Sequence, residues 1–505
     1  MKTFSAIPFF AVLLSAQNPP PATAPAPAAS KPSEPAADDK PVITHHKITL
    51  GGKPLSYTAT TGFMPIKDDQ GKVEAHMFFV AYTADNSGLK RPLTFAFNGG
   101  PGSATIWLHM GCFGPKRVKL RPNGFMPPPP FEWEDNQNTI LDRTDLVFVD
   151  AIGTGYSRAA TTELGKKFWS VSGDIAAFGE FIRLYLQKNS RWTSPVYLAG
   201  ESYGTTRAAG LSGYLVDHGI ALNGVVLIST VLNFETLSFG VGNDLPYIVY
   251  LPTYAATAAY HHKLAPDLEK DPEALLREVE KFAAGEYTLA LQQGDAVDPV
   301  MRQSVIDKLA RFTGLSKQYI SRCDLRVDLS HFDTELLRDD DKIVGRLDGR
   351  FTGVNEAATE QTPEFDPSEA AIRSPYTSVF GDYVKSELGF QSDAVYYVLG
   401  GGIGRWDFDT QGHFGSGFAD TSQGLRRAFA KNPFLQVYVA EGFYDAATPY
   451  FAVEYTLNHM GLTPEAHKNI TRGHFNAGHM VYIDNESMSK LKQDVDSLFD
   501  RSLNK

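Results

Sequence analysis

Ser202 sits inside Gly200-Glu201-Ser202-Tyr203-Gly204, a Gly-x-Ser-x-Gly pentapeptide. A serine hydroxyl is a weak nucleophile unless a base takes its proton and an acid orients that base. The surroundings suit such a serine. Pro195-Val196-Tyr197-Leu198-Ala199 reads as a short buried strand, and Thr205 to His218 carries Ala208, Leu211, Tyr214 and Leu215 at helical spacing until Gly219 stops it. Between a strand and a helix, the pentapeptide is a nucleophile elbow. Its glycines allow a sharp turn, and the serine Oγ projects from the carboxyl edge of a sheet. The bland alternative is a glycine-rich turn with an incidental serine.

A base and an acid are both available further on. Leu435 to Ala440 reads as a strand running into Glu441-Gly442-Phe443-Tyr444-Asp445, so Asp445 falls just past a strand end. Asn476-Ala477-Gly478-His479-Met480 follows the segment Lys468 to Arg472, which puts His479 on a loop at the same sheet edge. The order Ser, Asp, His is the one found where a nucleophile elbow opens the site. A lone His or Asp is usually structural. Three in this order, each after a strand, make a candidate triad of Ser202, Asp445 and His479.

The chain resembles the serine carboxypeptidase family (peptidase family S10) of the α/β-hydrolases. Four blocks carry the resemblance: Asn98-Gly99-Gly100-Pro101-Gly102; Asp150-Ala151-Ile152-Gly153-Thr154-Gly155-Tyr156-Ser157; the pentapeptide around Ser202; and Gly442 to Asp445 with Ala477 to Met480. The resemblance implies the triad above and an oxyanion hole made by the backbone N–H groups of Gly100 and Tyr203. It also implies that Asn98, Gly99 and Glu201 recognise a substrate's C-terminal carboxylate, with Met480 lining the pocket for the leaving residue. Two departures stand out. Ser103 occupies a position that is commonly cysteine in disulfide-bridged eukaryotic members, which fits a bacterial-type enzyme. Cys112 falls where the family pattern has a second glutamate paired with the one before the nucleophile, so Glu201 lacks that partner unless Glu132 or Glu134 supplies it.

The elements that must hold these residues follow from periodicity. Ile43 to Tyr82 alternates, with turn signals at Gly51-Gly52 and Asp68 to Gly71, and reads as antiparallel edge strands. Leu93 to Phe97, Leu146 to Asp150 and Gly224 to Thr230 read as buried strands, and Ser172 to Lys188 as an amphipathic crossover helix. Strands alternating with helices imply a mainly parallel sheet covered on both faces, an α/β fold. After Asn233 the alternation is lost. Pro272 to Ala283, capped by Asp271, and Pro299 to Phe312, closed by Gly314, read as helices. Beyond Asp324 the chain is charged and Gly-rich, with little core-forming periodicity. The helix Ser422 to Lys431 and the Leu435 strand resume the parent pattern. The expected organisation is a leader over 1–16, a Pro/Ala-rich tether over 17–40, an α/β-hydrolase domain over 41–233 and 410–505, and an insertion over 234–409. The resemblance makes that insertion a cap.

Length and composition suit one large domain bearing an insertion, or two domains: 505 residues, 43% hydrophobic. A net charge of −11 argues against nucleic acid as a general partner. Lys2 followed by the apolar run Ile7 to Leu14 and then Ser15-Ala16 reads as an export signal, and no later run is long enough for a membrane span. Two cysteines, Cys112 and Cys323, make no disulfide framework; free thiols are favoured over a single bridge.

Other signals fail on inspection. Asp407 to Gly412 begins like a calcium loop, but its twelfth position is Phe418 where a bidentate glutamate is needed. Gly400-Gly401-Gly402-Ile403-Gly404 lacks the register of a dinucleotide site, and His45-His46 and His261-His262 lack metal-ligand spacing. The acidic run Asp339 to Asp341 reads as a solvated turn. No cofactor is expected. The expectation is an exported, periplasmic or secreted serine carboxypeptidase acting on peptides with a free C-terminus. A serine esterase or acyltransferase on the same fold is the alternative, followed by a non-catalytic binding module.

Overall fold

The computed structural model describes residues 40–85, 88, 90–410 and 417–504. The expected leader and tether lie outside these residues apart from Lys40, as do Gln411 and Gly412 of the calcium-loop-like stretch.

Strands Val42–Leu50 (β1), Lys53–Lys67 (β2) and Val73–Ala84 (β3) form an antiparallel meander. Leu93–Phe97 (β4), Asp145–Val149 (β5), Val196–Ser202 (β6), Gly224–Thr230 (β7), Gln436–Gly442 (β8) and Ile470–Phe475 (β9) are mutually parallel. Across the sheet the order is β1-β2-β3-β5-β4-β6-β7-β8-β9, with β3 and β5 antiparallel and a short strand, Arg158–Ala159, against β3. Strands β4 to β8 are almost wholly buried because both faces are covered, whereas the edge strand β9 is partly exposed. Phe95, Phe97, Val147 and Val149 enter the core on one face, while Ala96, Leu146 and Phe148 enter the core on the other.

Helices Val171–Lys188 (α1) and Tyr203–Asp217 (α2) cover the first of these faces. Within residues 234–409 come four long helices: Leu245–Tyr260 (α3), Pro272–Phe282 (α4), Pro299–Thr313 (α5) and Pro367–Ser386 (α6). The last three start alike. Asp271, Asp298 and Asp366 each accept from a backbone N–H of the first turn, and proline occupies the first helical position. Helices α3, α4 and α5 share an apolar cluster of their own through Val249, Tyr254, Leu275, Val279, Val305 and Leu309.

Helix α6 corrects the expectation that the chain beyond Asp324 lacks core-forming periodicity. Ile372, Tyr376, Val379 and Tyr383 recur at helical spacing and pack into the sheet core. Pro375 interrupts that pattern in the sequence, yet it lies inside the helix, as Pro252 does in α3. The remaining long helices are Ser422–Lys431 (α7), Tyr450–Asn458 (α8) and Asn485–Leu503 (α9). Cys112, buried, and Cys323 are both free thiols.

Candidate active site

Strand β6 ends at Ser202, which lies between it and α2 with φ 59° and ψ −132°. A non-glycine residue in that region costs about 1–3 kcal/mol, so its surroundings must impose it. Thr205 Oγ1 donates to the Ser202 carbonyl at 2.7 Å. A Cβ on Gly200 would sit 2.2 Å from the Gly204 carbonyl oxygen, so only glycine lets the strand pass the helix so closely. The loop after β4 presses on the same turn: a Cβ on Gly99 would lie 2.4 Å from Tyr203 N. Tyr203 is the first residue of α2, so its N–H has no partner within the helix.

A buried cation fastens this loop from behind. Arg207, fully buried, donates from Nη1 to the Asn98 carbonyl at 2.6 Å and from Nε to Asp174 Oδ2 of α1 at 2.7 Å. Its guanidinium lies over the Tyr203 ring at 5.5 Å and over Phe178 at 4.3 Å. The Asn98 side chain accepts from Leu108 N at 2.9 Å.

At the ends of β8 and β9, His479 Nδ1 lies 2.8 Å from Asp445 Oδ2. Asp445, fully buried, also accepts from the N–H groups of Ala447 and Thr448 and from the Thr448 hydroxyl. Burial would lower the His479 pKa, but the charge of Asp445 and its hydrogen bond prevail and leave it raised. The His479 carbonyl accepts from the Ser229 hydroxyl at the end of β7.

A second set of contacts was not legible in the sequence. The segment Arg346 to Arg350, between α5 and α6, runs between the Asp445 and His479 loops. Ala446 N donates to the Arg346 carbonyl at 3.1 Å, and His479 N to the Leu347 carbonyl at 2.6 Å. Gly478 N donates to Asp348 Oδ2 at 3.1 Å. Gly349 N donates to the Tyr444 carbonyl at 2.9 Å, and Arg350 Nη1 to the Asn476 carbonyl at 2.9 Å. Asp348 and Arg350 pair with each other at 2.7 Å.

Glu201 is buried beside Ser202, and its partner is a tyrosine. The Tyr482 hydroxyl, three residues beyond His479, donates to Glu201 Oε2. Burial raises the Glu201 pKa to about 7, against the opposing effects of His479, Tyr482 and Asn98. Glu132 and Glu134 do not fill the role: Glu132 pairs with Lys119 at 3.1 Å, and Glu134 lies 3.9 Å from Arg117. Cys112 lies close enough for the Glu201 charge to add to the effect of burial in raising its thiol pKa.

Asn98, Gly99, Gly100, Glu201, Ser202, Tyr203, His479 and Met480 all line one cavity of about 610 Å³, with Asp445 behind His479. The region between β7 and β8 adds to the lining: Phe234, Leu237, Phe239 and Leu329 are apolar, Tyr250 is aromatic, and Arg346, Asp366 and Glu369 are charged. Away from the cavity, Glu441, Glu454 and His474 have the spacing of metal ligands. There His474 lies 3.0 Å from Glu441 and 3.7 Å from Glu454, and Arg472 lies 2.6 Å from Glu454, so two cations already face the two carboxylates. Hydrogen bonds to both glutamates raise His474 to about 9.

Known proteins share this fold. A solved prohormone-processing carboxypeptidase from Saccharomyces cerevisiae superposes with a TM-score of 0.53 at 14% identity, covering 87% of this chain and 91% of that one. The fold is that of the α/β-hydrolases. "Serine carboxypeptidase S10 family member 1" of Dictyostelium discoideum is 24% identical over 43% of this chain and 49% of its own length. A "Retinoid-inducible serine carboxypeptidase" of Mus musculus is 31% identical over 28% of this chain and 29% of its own. The chain thus spans about half the length of the first curated relative and less of the second. The model of the serine carboxypeptidase family (peptidase family S10) matches residues 51–304, half of the chain and the half that contains Ser202. The chain belongs to the serine carboxypeptidase family.

Proposed function

We propose that the protein is an exported serine carboxypeptidase, a bacterial-type member of its family, which removes C-terminal residues from peptides through an acyl-enzyme on Ser202. The observation that carries this reading is the 2.8 Å contact of Asp445 with His479, in a site that shares one cavity with Ser202 and a buried carboxyl, Glu201. In this mechanism His479 takes the Ser202 proton as Oγ attacks the scissile carbonyl, and Asp445 stabilises the imidazolium. The N–H groups of Gly100 and Tyr203 receive the oxyanion, each worth about 3 kcal/mol to the transition state. His479 then protonates the leaving amine, and water, deprotonated by His479, releases the acyl group. Met480 borders the space for the leaving residue. The region 234–409 acts as a cap that shapes the peptide site. The two free cysteines agree with a bacterial-type member that does without a disulfide framework, and the leader-like start of the chain is the basis for export to the periplasm or medium.

Recognition of the free C-terminus follows from Glu201. A protonated carboxyl donates a hydrogen bond to the substrate's terminal carboxylate, whereas an ionised one repels it. With the Glu201 pKa near 7, preference for free-acid over amidated peptides should hold at acidic pH and decay as pH rises through about 7. The test is kcat/KM across pH for matched free-acid and C-terminally amidated peptides, with products identified by mass spectrometry. Equal rates on both at every pH would favour an esterase or acyltransferase. A protein whose Ser202 takes no fluorophosphonate label would be a binding module.

A further inference from the structure

The Glu201 carboxyl is enclosed by groups from several elements. Tyr482 reaches it from the short turn Val481–Ile483, and the Asn98 side chain lies within hydrogen-bonding reach from the loop after β4. His479 and Asp445 act on it through their charges. Cys112 and the Tyr376 hydroxyl of α6, which are not part of the cavity lining, both sense the Glu201 charge. A Cβ on Gly111, next to Cys112, would lie 2.4 Å from Tyr376 Oη and 2.7 Å from the Tyr482 ring, so glycine there lets both tyrosines close over the helix that carries Cys112. Of these neighbours, Tyr482 is the one whose hydroxyl donates directly to the carboxyl, and it is fully buried.

A tyrosine differs from a second carboxyl at this position. Its hydroxyl is a neutral donor throughout the working pH range, because burial pushes the Tyr482 pKa well above its ordinary value. It therefore grips one oxygen of Glu201 whether or not the carboxyl is ionised, and it shares no proton with it.

We propose that Tyr482 is the positioning residue for C-terminal recognition: by holding Oε2 of Glu201 it turns the remaining carboxyl oxygen toward the terminal carboxylate of a peptide in the cavity. This inference rests on the carboxypeptidase reading above. The same hydrogen bond has a second effect. A donor to a carboxylate favours the ionised form, so Tyr482 holds the Glu201 pKa below the level that burial alone would set. Removing the hydroxyl loosens the carboxyl and at the same time keeps it protonated to higher pH.

The experiment compares wild type with Tyr482→Phe, which keeps the ring. The substrates are N-acylated dipeptides with free C-termini and the same dipeptides amidated, assayed from acidic to alkaline pH. The free-acid to amide ratio of kcat/KM cancels the titration of His479, which serves both substrates. At acidic pH, KM for the free acids should rise about tenfold with kcat little changed, the loss expected of one hydrogen bond to a charged group. Amide turnover and fluorophosphonate labelling of Ser202 should stay within about threefold of wild type. The pH at which the ratio decays should move upward. If Tyr482→Phe loses activity equally on both substrates, or leaves the ratio and its decay pH unchanged, Tyr482 is a packing residue and the proposal is wrong. A wild-type ratio near one at every pH would overturn both this proposal and the carboxypeptidase reading.

Discussion

The Asp348 carboxylate accepts the backbone N–H of Gly478 at 3.1 Å, across 130 residues of chain. The residue that follows Gly478 is His479, so an acidic side chain between α5 and α6 fixes the peptide that presents the imidazole. Arg350, bound to Asp348 and to the Asn476 carbonyl, completes the grip.

Weakening that grip should disturb chemistry more than folding. Asp348→Asn keeps the shape of the side chain but removes the charge facing Arg350. The expected result is a fall in kcat of about tenfold or more, since a displacement of 1 Å at a catalytic group costs up to a hundredfold. Labelling of Ser202 by a fluorophosphonate should slow in parallel, with near-UV circular dichroism unchanged. Full labelling rates in Asp348→Asn would reduce the segment to packing.

Ser202→Ala should lower kcat by about 10⁴-fold or more, and His479→Ala by a similar factor. Asp445→Asn should cost less than either, although Asp445 is the most heavily hydrogen-bonded of the three. Burst kinetics with an activated ester would read all three, and near-normal turnover by purified Ser202→Ala would remove the assignment.

Leu329 lines the cavity from the region between β7 and β8. Leu329→Ala should change KM and residue preference severalfold while leaving the rate of Ser202 labelling within experimental scatter. Parallel changes in both would mean that this wall does more than select substrates.

Arg207 is a stability prediction. Breaking a buried pair strands the other charge, so Arg207→Met should cost about 3–5 kcal/mol in urea unfolding, with Asp174 left alone. Arg207→Met with Asp174→Leu should recover part of that loss. Both variants should also turn over more slowly than wild type, because the Asn98 carbonyl lacks its anchor in each.

His109 makes the fold acid-sensitive. Buried, it shares a 2.7 Å hydrogen bond with Tyr82 Oη and stacks on Phe148 at 4.4 Å, and burial lowers its pKa to about 3. The unfolded chain takes up this proton below about 6.5 while the native state does not. The stability contribution is therefore complete above about 6.5 and is lost progressively as pH falls toward 3. His109→Phe should flatten the dependence of unfolding free energy on pH over that interval. An unaltered slope would assign acid lability elsewhere.

Most of the sheet could be read from the sequence because each strand is a local run: Leu93 to Phe97 and Gly224 to Thr230 appear in the structure with the limits expected. The elbow was legible for the same reason. Tyr482 and Asp348 were not, since the contacts that define them join residues 281 and 130 positions apart, and neither sits in a pattern that marks chemistry. Helix α6 is a different case. Its Asp366-Pro367 start repeats the Asp271-Pro272 signature that was read correctly, but Pro375 and scattered polar residues hid the apolar stripe behind it.

The Arg346 to Arg350 segment also limits how this chain can be recombined. Exchanging the whole of residues 234–409 for the corresponding piece of a relative, a natural route to a new substrate range, would take away the carbonyls of Arg346 and Leu347 and the carboxylate of Asp348. The loops bearing Asp445 and His479 would then lose the acceptors that hold them here. A chimera that keeps 346–350 and exchanges the helices on either side should retain its nucleophile chemistry. The seams for grafting thus fall inside residues 234–409, not at their ends.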